Sequence, residues 1–216
     1  MDLETAREQM IGQQLRAWDV LDERILEVMA AIPRERFVPA DWQGLAYADT
    51  ELPLGHGKHL APPKIQGRAL QAVLPQPDDR VLEIGCGTGY LTACLARLAG
   101  SVTGIELHPE LAAAARRNLA ALDIGNAEVL EGDGLAMEFA GRFEVVCVNG
   151  SLPDGTGRLE RLLTVGGRLF VVTGRLPIMQ AQRITRIDES EWRAENVFET
   201  CLPPLENARQ TVEFVF

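Results

Sequence analysis

The chain has 216 residues, 46% of them hydrophobic and 24% charged, enough to bury one full core and with no sign of a second. Its formal net charge of -10 speaks against nucleic acid as the main partner, because that affinity rests on phosphate neutralisation by Lys and Arg. No apolar run reaches the roughly 18 to 20 residues that span a bilayer. The N-terminal MDLETAREQM lacks a basic-then-apolar export pattern. Four cysteines, Cys86, Cys94, Cys147 and Cys201, have neither CxxC nor metal-ligand spacing. The expectation is a single-domain cytoplasmic protein with reduced thiols, acting without nucleic acid, membrane or metal.

In chain order, residues 2–18 read as an amphipathic helix. Asp22 caps a second helix whose apolar positions Ile25, Leu26, Met29 and Ile32 recur at helical spacing until Pro33 stops it. The segment 34–63 is rich in Pro, Gly and polar residues and is long for a connection inside a compact domain, which marks it as a functional loop. Pro62 and Pro63 open a helix that runs to Leu74. Strand and helix then alternate: strand 80–85, helix 89–99, strand 101–106, helix 109–122, strand 127–130 and strand 143–149. This pattern predicts an α/β fold, a mostly parallel sheet with helices on both faces. A short helix near 156–164, a turn at Val165-Gly166-Gly167 and a strand at 168–173 follow. The tail offers strands near 182–188, 194–201 and 210–216, expected to add antiparallel strands at one edge. Within the single domain 1–216, N-terminal helices and loop occupy 1–63, the core 64–173 and C-terminal strands 174–216.

The most informative stretch is residues 80 to 90, RVLEIGCGTGY. Val81, Leu82 and Ile84 predict a buried strand, and Gly85, Gly87 and Gly89 fall where strand turns into helix. Glycines there permit positive φ and close approach of a ligand to the backbone, while free N–H groups of the helix start point into the gap. The spacing is G-x-G-x-G, one residue short of the dinucleotide fingerprint. Glu83 stands two residues before the first glycine. An ionised carboxylate there would repel a pyrophosphate but suits ammonium and sulfonium groups, so S-adenosylmethionine fits better than NAD. The next strand, SVTGIE, ends in Glu106 at about the spacing at which an acid meets both hydroxyls of a ribose. After the third strand, Glu131-Gly132-Asp133-Gly134 places Asp133 to accept from an adenine amino group. Cys86, Thr88, Leu107, Gly134 and Asn149, in or beside these turns, complete the expected cofactor set. Taken singly, either acid reads equally well as a solvated strand end or helix N-cap; three ordered signals at successive strand ends carry the argument.

These residues, together with Met-Ile-Gly-Gln-Gln-Leu-Arg at 10–16, Ile-Pro-Arg-Glu-Arg-Phe-Val-Pro at 32–39, Ala-Tyr-Ala-Asp at 46–49 and Leu-Pro-Leu-Gly-His-Gly at 52–57, resemble the protein-L-isoaspartate O-methyltransferase family from Met10 to about Thr173. The resemblance implies a Rossmann-like class I methyltransferase fold with its cofactor in the 64–173 core. It also implies S-adenosylmethionine as donor, and as acceptor the isoaspartyl carboxylate of a damaged protein or peptide, a protein-repair reaction.

Two departures fall on the acceptor side. Where the family runs Gln-Thr-Ile-Ser-Gln-Pro, with the serine as its active-site residue, this chain has Lys58-His59-Leu60-Ala61-Pro62-Pro63. Where the family shows Thr-Ala-Ala-Ala-Pro after the fourth strand, it has Asn149-Gly150-Ser151-Leu152-Pro153-Asp154. A carboxylate, with an ordinary pKa near ~4, is already ionised at neutral pH and needs no general base. The missing serine therefore removes an orienting group, and Lys58 or His59 could anchor the acceptor through a charge-assisted hydrogen bond. A small-molecule acceptor, or a cofactor-binding protein without transfer activity, are the other readings. His56 and the three tryptophans (Trp18, Trp42, Trp192) read as loop structure and packing anchors, His108 as a neighbour of the ribose acid, and Ser151 as a turn residue or substitute hydroxyl.

Overall fold

In the computed structural model, which describes residues 2–211, the helical start is continuous but changes pitch. The α-helix α1 (Leu3–Gln9), capped by Asp2 accepting from the Thr5 N–H at 2.8 Å, runs into a π-turn at Met10–Leu15 and a 3-10 turn at Arg16–Trp18. The widening buries Met10 and Leu15 completely. Asp22 caps α2 (Glu23–Ala31), accepting from the N–H of Arg24 at 3.0 Å, and Ile32 is already extended before Pro33.

The expected loop 34–63 is structured. Two 3-10 turns, Arg34–Phe37 and Ala40–Leu45, lead into a hairpin of β1 (Leu52–Gly55) and β2 (Lys58–Leu60). His56 and Gly57 make its turn, both at positive φ (53° and 67°), the conformation that a two-residue hairpin loop requires. Then come α3 (Pro63–Val73), β3 (Arg80–Ile84), α4 (Tyr90–Leu98), β4 (Ser101–Glu106), α5 (Pro109–Ala120), β5 (Ala127–Glu131) and β6 (Phe143–Leu152). The chain ends in three long strands, β7 (Leu163–Arg175), β8 (Ile178–Arg186) and β9 (Trp192–Glu199). The predicted helix near 156–164 is only a 3-10 turn, Leu159–Leu162, and the Val165-Gly166-Gly167 turn is absorbed as an irregularity within β7. Of the predicted strand 210–216, residues 210 and 211 are coil and the remainder lies outside the described residues.

The seven-stranded sheet has the order β5-β4-β3-β6-β7-β8-β9, parallel from β5 to β7 and antiparallel thereafter. Central strands are buried on both faces, hence their near-continuous apolar runs. Val81, Val145, Cys147, Phe170 and Val172 face a core shared with all four helices α2 to α5; Leu82, Ile84, Val146, Val148, Leu169 and Val171 face a second. That second face is covered by Leu159 and Leu162 of the 3-10 turn and by Leu135, Met137 and Phe139, not by a long helix. Each fully buried Val or Leu contributes ~1.5–3 kcal/mol relative to exposure. No helix among the described residues is long and apolar enough to cross a membrane. After β3 the chain winds outward to β5, then returns to place β6 on the other side of β3. This reversal opens a crevice beyond the carboxyl ends of β3 and β6, where open α/β sheets bind ligands.

Candidate active site

A cleft of about 1240 Å³, counting space open to solvent, lies in that crevice. The turn after β3, the ends of β4, β5 and β6, the segment Gly57–Ala61, the first turns of α3 and the tail residues Leu202–Glu206 all line it. Of the predicted cofactor residues, Gly85, Cys86, Gly87, Glu106, Leu107, Asp133, Gly134 and Asn149 meet there.

Glu106 is nearly buried, and each of its oxygens is held by one backbone donor: the Gly87 N–H at 2.7 Å and the His108 N–H at 3.0 Å. Lone pairs remain for two further donors, the arrangement a ribose diol requires. Gly87 can turn its N–H toward Glu106 because it sits at φ +57°. Asp133 accepts from the Leu135 N–H at 2.8 Å and from the Asn207 side chain at 3.0 Å, so a tail residue meets the predicted adenine acid. Gly134 is a packing glycine: a Cβ would stand 2.7 Å from Ile84 Cγ2.

Glu83, Thr88 and Gly89 do not line the cleft and stand behind it. Glu83 is fully buried beneath the turn, where its carboxylate accepts from Thr92 Oγ1 at 2.6 Å and from the Asn149 amide. Burial pushes its pKa up from 4.5 to about 7, against the lowering effect of the Thr92 and Asn149 hydrogen bonds. It therefore reaches the cleft only through Asn149. Thr88 donates its hydroxyl to the Phe37 carbonyl at 2.6 Å and accepts at its own carbonyl from Asn118, which ties the glycine turn to the N-terminal segment. Gly89, at φ +90°, opens α4 against Ala115 of α5.

On the acceptor side Ala61 lines the cleft with Lys58, His59, Leu60, Ile65 and Gln66. Lys58 Nζ lies 2.8 Å from Glu206, which also stands 3.0 Å from His108 Nε2. These contacts, Lys58 first, hold the Glu206 carboxyl below its ordinary range. His59 is exposed on β2, and His56 stacks on His108 with centroids 4.9 Å apart. Ser151 is no substitute hydroxyl: it is fully buried and donates to the Leu202 carbonyl at 2.9 Å. Trp18 packs edge-on to Phe198. Sequence reasoning missed Arg34, Gln66, Leu205 and Glu206. Arg34 is fully buried, with Nε 2.7 Å from the Ala46 carbonyl and further hydrogen bonds to the Ala61 carbonyl and Gln66 Oε1. An arginine in an Ile-Pro-Arg-Glu-Arg run carries no sequence signal of burial.

The charge inventory fits S-adenosylmethionine. Among the described residues, those with charge that face the cleft are, beside Lys58, Glu51, Glu106, Asp133 and Glu206, and none of them is a Lys or Arg at the glycine turn that could neutralise a pyrophosphate. A cleft lined by acids suits a ligand carrying a sulfonium and an ammonium.

Comparison with known proteins gives a consistent result. The family described as Protein-L-isoaspartate(D-aspartate) O-methyltransferase matches residues 5–209. A Protein-L-isoaspartate O-methyltransferase from Koribacter versatilis is 42% identical over 181 residues, covering 83% of this chain and 81% of that one. Protein-L-isoaspartate O-methyltransferase 2 of an Anaeromyxobacter species is 41% identical over 172 residues, 79% of this chain and 71% of that one. A Plasmodium falciparum structure described as a protein of this type, in complex with S-adenosyl-L-homocysteine, superposes with a TM-score of 0.80 at 20% identity, over 93% of this chain and 98% of that chain. At that identity the superposition speaks for the fold alone. With the glycine turn, Glu106 and Asp133 gathered at the switch point of the sheet and the match spanning nearly the whole sequence, the chain belongs to the protein-L-isoaspartate O-methyltransferase family, whose members transfer a methyl group from S-adenosylmethionine.

Proposed function

We propose that this protein esterifies the free carboxylate of L-isoaspartyl residues in damaged proteins and peptides, with S-adenosylmethionine as donor. The observation that carries the reading is one continuous cleft joining the glycine turn, Glu106 and Asp133 to the segment Gly57–Ala61 and the start of α3. Donor and acceptor ends thus share one cavity.

S-adenosylmethionine, when bound, supplies an electrophilic methyl group on a sulfonium. Glu106 would hold the ribose and Asp133 the adenine edge, with Gly85, Cys86, Gly87, Leu107, Gly134 and Asn149 shaping the cradle and Glu83, Thr88 and Gly89 supporting it from behind. The acceptor carboxylate would take that methyl group from the sulfonium, giving a methyl ester and a neutral thioether with no proton to be moved, so no residue need act as a base. The protein's task is alignment, worth a part of the ~7–11 kcal/mol that proximity can supply. Lys58 and His59 stand at the acceptor end as anchors. Lys58 is paired with Glu206, so an incoming carboxylate would replace one anionic partner with another. The residue Ala61, without a hydroxyl, favours a second reading in which the same chemistry serves a small-molecule acceptor. The four thiols are free, in keeping with a cytoplasmic site of action, and the acids lining the cleft favour a protein or peptide acceptor over nucleic acid.

The test is a base-labile methyl ester assay with labelled S-adenosylmethionine on an isoaspartyl peptide and its normal aspartyl isomer. Selective labelling of the isoaspartyl form is expected. No labelling of either peptide by a preparation that binds S-adenosylmethionine would overturn the acceptor assignment.

A further inference from the structure

The acceptor end contains an unusual arrangement around Arg34. Its guanidinium is completely buried, donates to the Ala46 and Ala61 carbonyls and to Gln66 Oε1, and lies 4.6 Å from the Tyr90 ring centroid. Among the described residues it has no carboxylate partner. A buried cation without a counter-ion is costly, and an anion arriving nearby would relieve that cost.

Gln66 lies between that charge and the cleft. A guanidinium has only donors, so the amide must present its oxygen to Arg34, and its nitrogen is thereby turned the other way. Gln66 is 4% exposed, lines the cleft beside Ala61 and Ile65, and its Nε2 has no hydrogen-bond partner among the described residues. The surroundings are apolar: Leu60, Ile65, Ala69 and Phe170 are all buried. In such surroundings a hydrogen bond to an anion is strengthened, and the guanidinium behind the amide polarises its N–H bonds further.

We propose that Gln66, oriented by Arg34, hydrogen-bonds the acceptor carboxylate in place of the hydroxyl that Ala61 lacks. This rests on the isoaspartyl reading above. Gln66 is then an acceptor-binding residue and Arg34 a positioning residue, which holds the amide in one orientation and supplies long-range positive charge.

The substitution Gln66→Glu keeps an oxygen facing Arg34, removes the donor and adds a negative charge that repels a carboxylate; Gln66→Met removes the donor without adding charge, and a loss of peptide affinity in both variants separates this role from a structural one. The Gln66→Glu variant should unfold no more easily than wild type and bind S-adenosyl-L-homocysteine within about twofold of it. In the S-adenosyl-L-homocysteine complex its affinity for an isoaspartyl peptide, read by fluorescence anisotropy, should fall at least about tenfold, and kcat/KM for esterification should fall at least as far. Gln66→Met, which removes donor and acceptor together, provides a second measurement should the first variant not fold. Wild-type peptide affinity and turnover in either folded variant would overturn the assignment. So would equal losses of peptide and S-adenosyl-L-homocysteine affinity, which would mean a collapsed cleft. If wild type itself esterifies no isoaspartyl peptide, the acceptor reading falls and takes this one with it; if wild type and Gln66→Glu are equally active, only the role of Gln66 falls.

Discussion

Replacing Glu83 by glutamine turns the burial of this carboxyl into a measurable pH dependence. The folded protein holds Glu83 at about 7 and the unfolded chain near 4.5, so the folded state prefers the protonated form. The stability it contributes is fully present below pH 4.5 and is lost as pH rises to about 7. The complete loss amounts to ~3–4 kcal/mol, from the rise of the pKa from 4.5 to about 7 at ~1.4 kcal/mol per pH unit. Solvent does not screen it, because the side chain is fully buried. The introduced glutamine cannot titrate and fits the same space: Asn149 still donates to its oxygen, and the Thr92 hydroxyl turns from donor to acceptor for the new amide. Urea unfolding of both proteins without cofactor, between about pH 4.5 and about pH 8, isolates the effect, since titrating groups that do not interact with Glu83 cancel in the difference and Glu106 is the smallest of the influences on it. The variant should gain ~3 kcal/mol on wild type over that interval. A difference that stays flat with pH would show that Glu83 is ionised throughout, and would refute the argument from burial.

The substitution Arg34→Met should destabilise the fold by ~3 kcal/mol or more, because it strands the Ala46 and Ala61 carbonyls and Gln66 Oε1; a urea midpoint within error of wild type would contradict this. In Glu106→Gln an amide NH2 faces one of two backbone N–H donors, at Gly87 or His108. Affinity for S-adenosylmethionine should drop about tenfold or more by calorimetry. Gly134→Ala pushes a methyl to 2.7 Å from Ile84 Cγ2, and thermal unfolding should register the ~1–3 kcal/mol typical of overpacking.

The expected strands 80–85, 101–106 and 127–130 are found at Arg80–Ile84, Ser101–Glu106 and Ala127–Glu131; β3 and β4 were legible as mostly buried apolar runs, whereas the edge strand β5 is mostly exposed, and the parallel strands β6 (Phe143–Leu152) and β7 (Leu163–Arg175) extend beyond the expected 143–149 and 168–173. The tail strands came out displaced by a few residues. The apolar and polar positions of Ile178–Arg186 are interrupted by Gln and Arg, and β9 is mostly exposed, so neither strand carries a clean period of two. Elements of three or four residues, such as β1, β2 and the 3-10 turns, are too short for periodicity to register. At the site, the acids at strand ends were found from spacing, but spacing cannot say which side of a turn a carboxylate faces. Glu83 lies on the same sheet face as Val81 and so under α4, where Thr92 meets it. Arg34, Gln66 and Glu206 gain their roles only from contacts across 12 to 148 residues of chain, which no local pattern encodes.

The tie between Thr88 and Phe37, set beside the contact of Leu205 with the glycine turn, bears on when the cleft comes into being. A nascent chain that has reached β6 already holds the strands and the carboxylates at their ends. It does not yet hold the tail, whose Leu205 lies over Gly85 and Gly150 and whose Glu206 reaches Lys58 and His108. The segment holding Phe37 and the segment Leu202–Glu206 converge on the glycine turn and its cleft, and the cavity is complete only after Leu202–Glu206 has left the ribosome. Ligand-induced protection from proteolysis should therefore arise only once Leu202–Glu206 has docked, so that cofactor capture reports a cleft that this segment has closed.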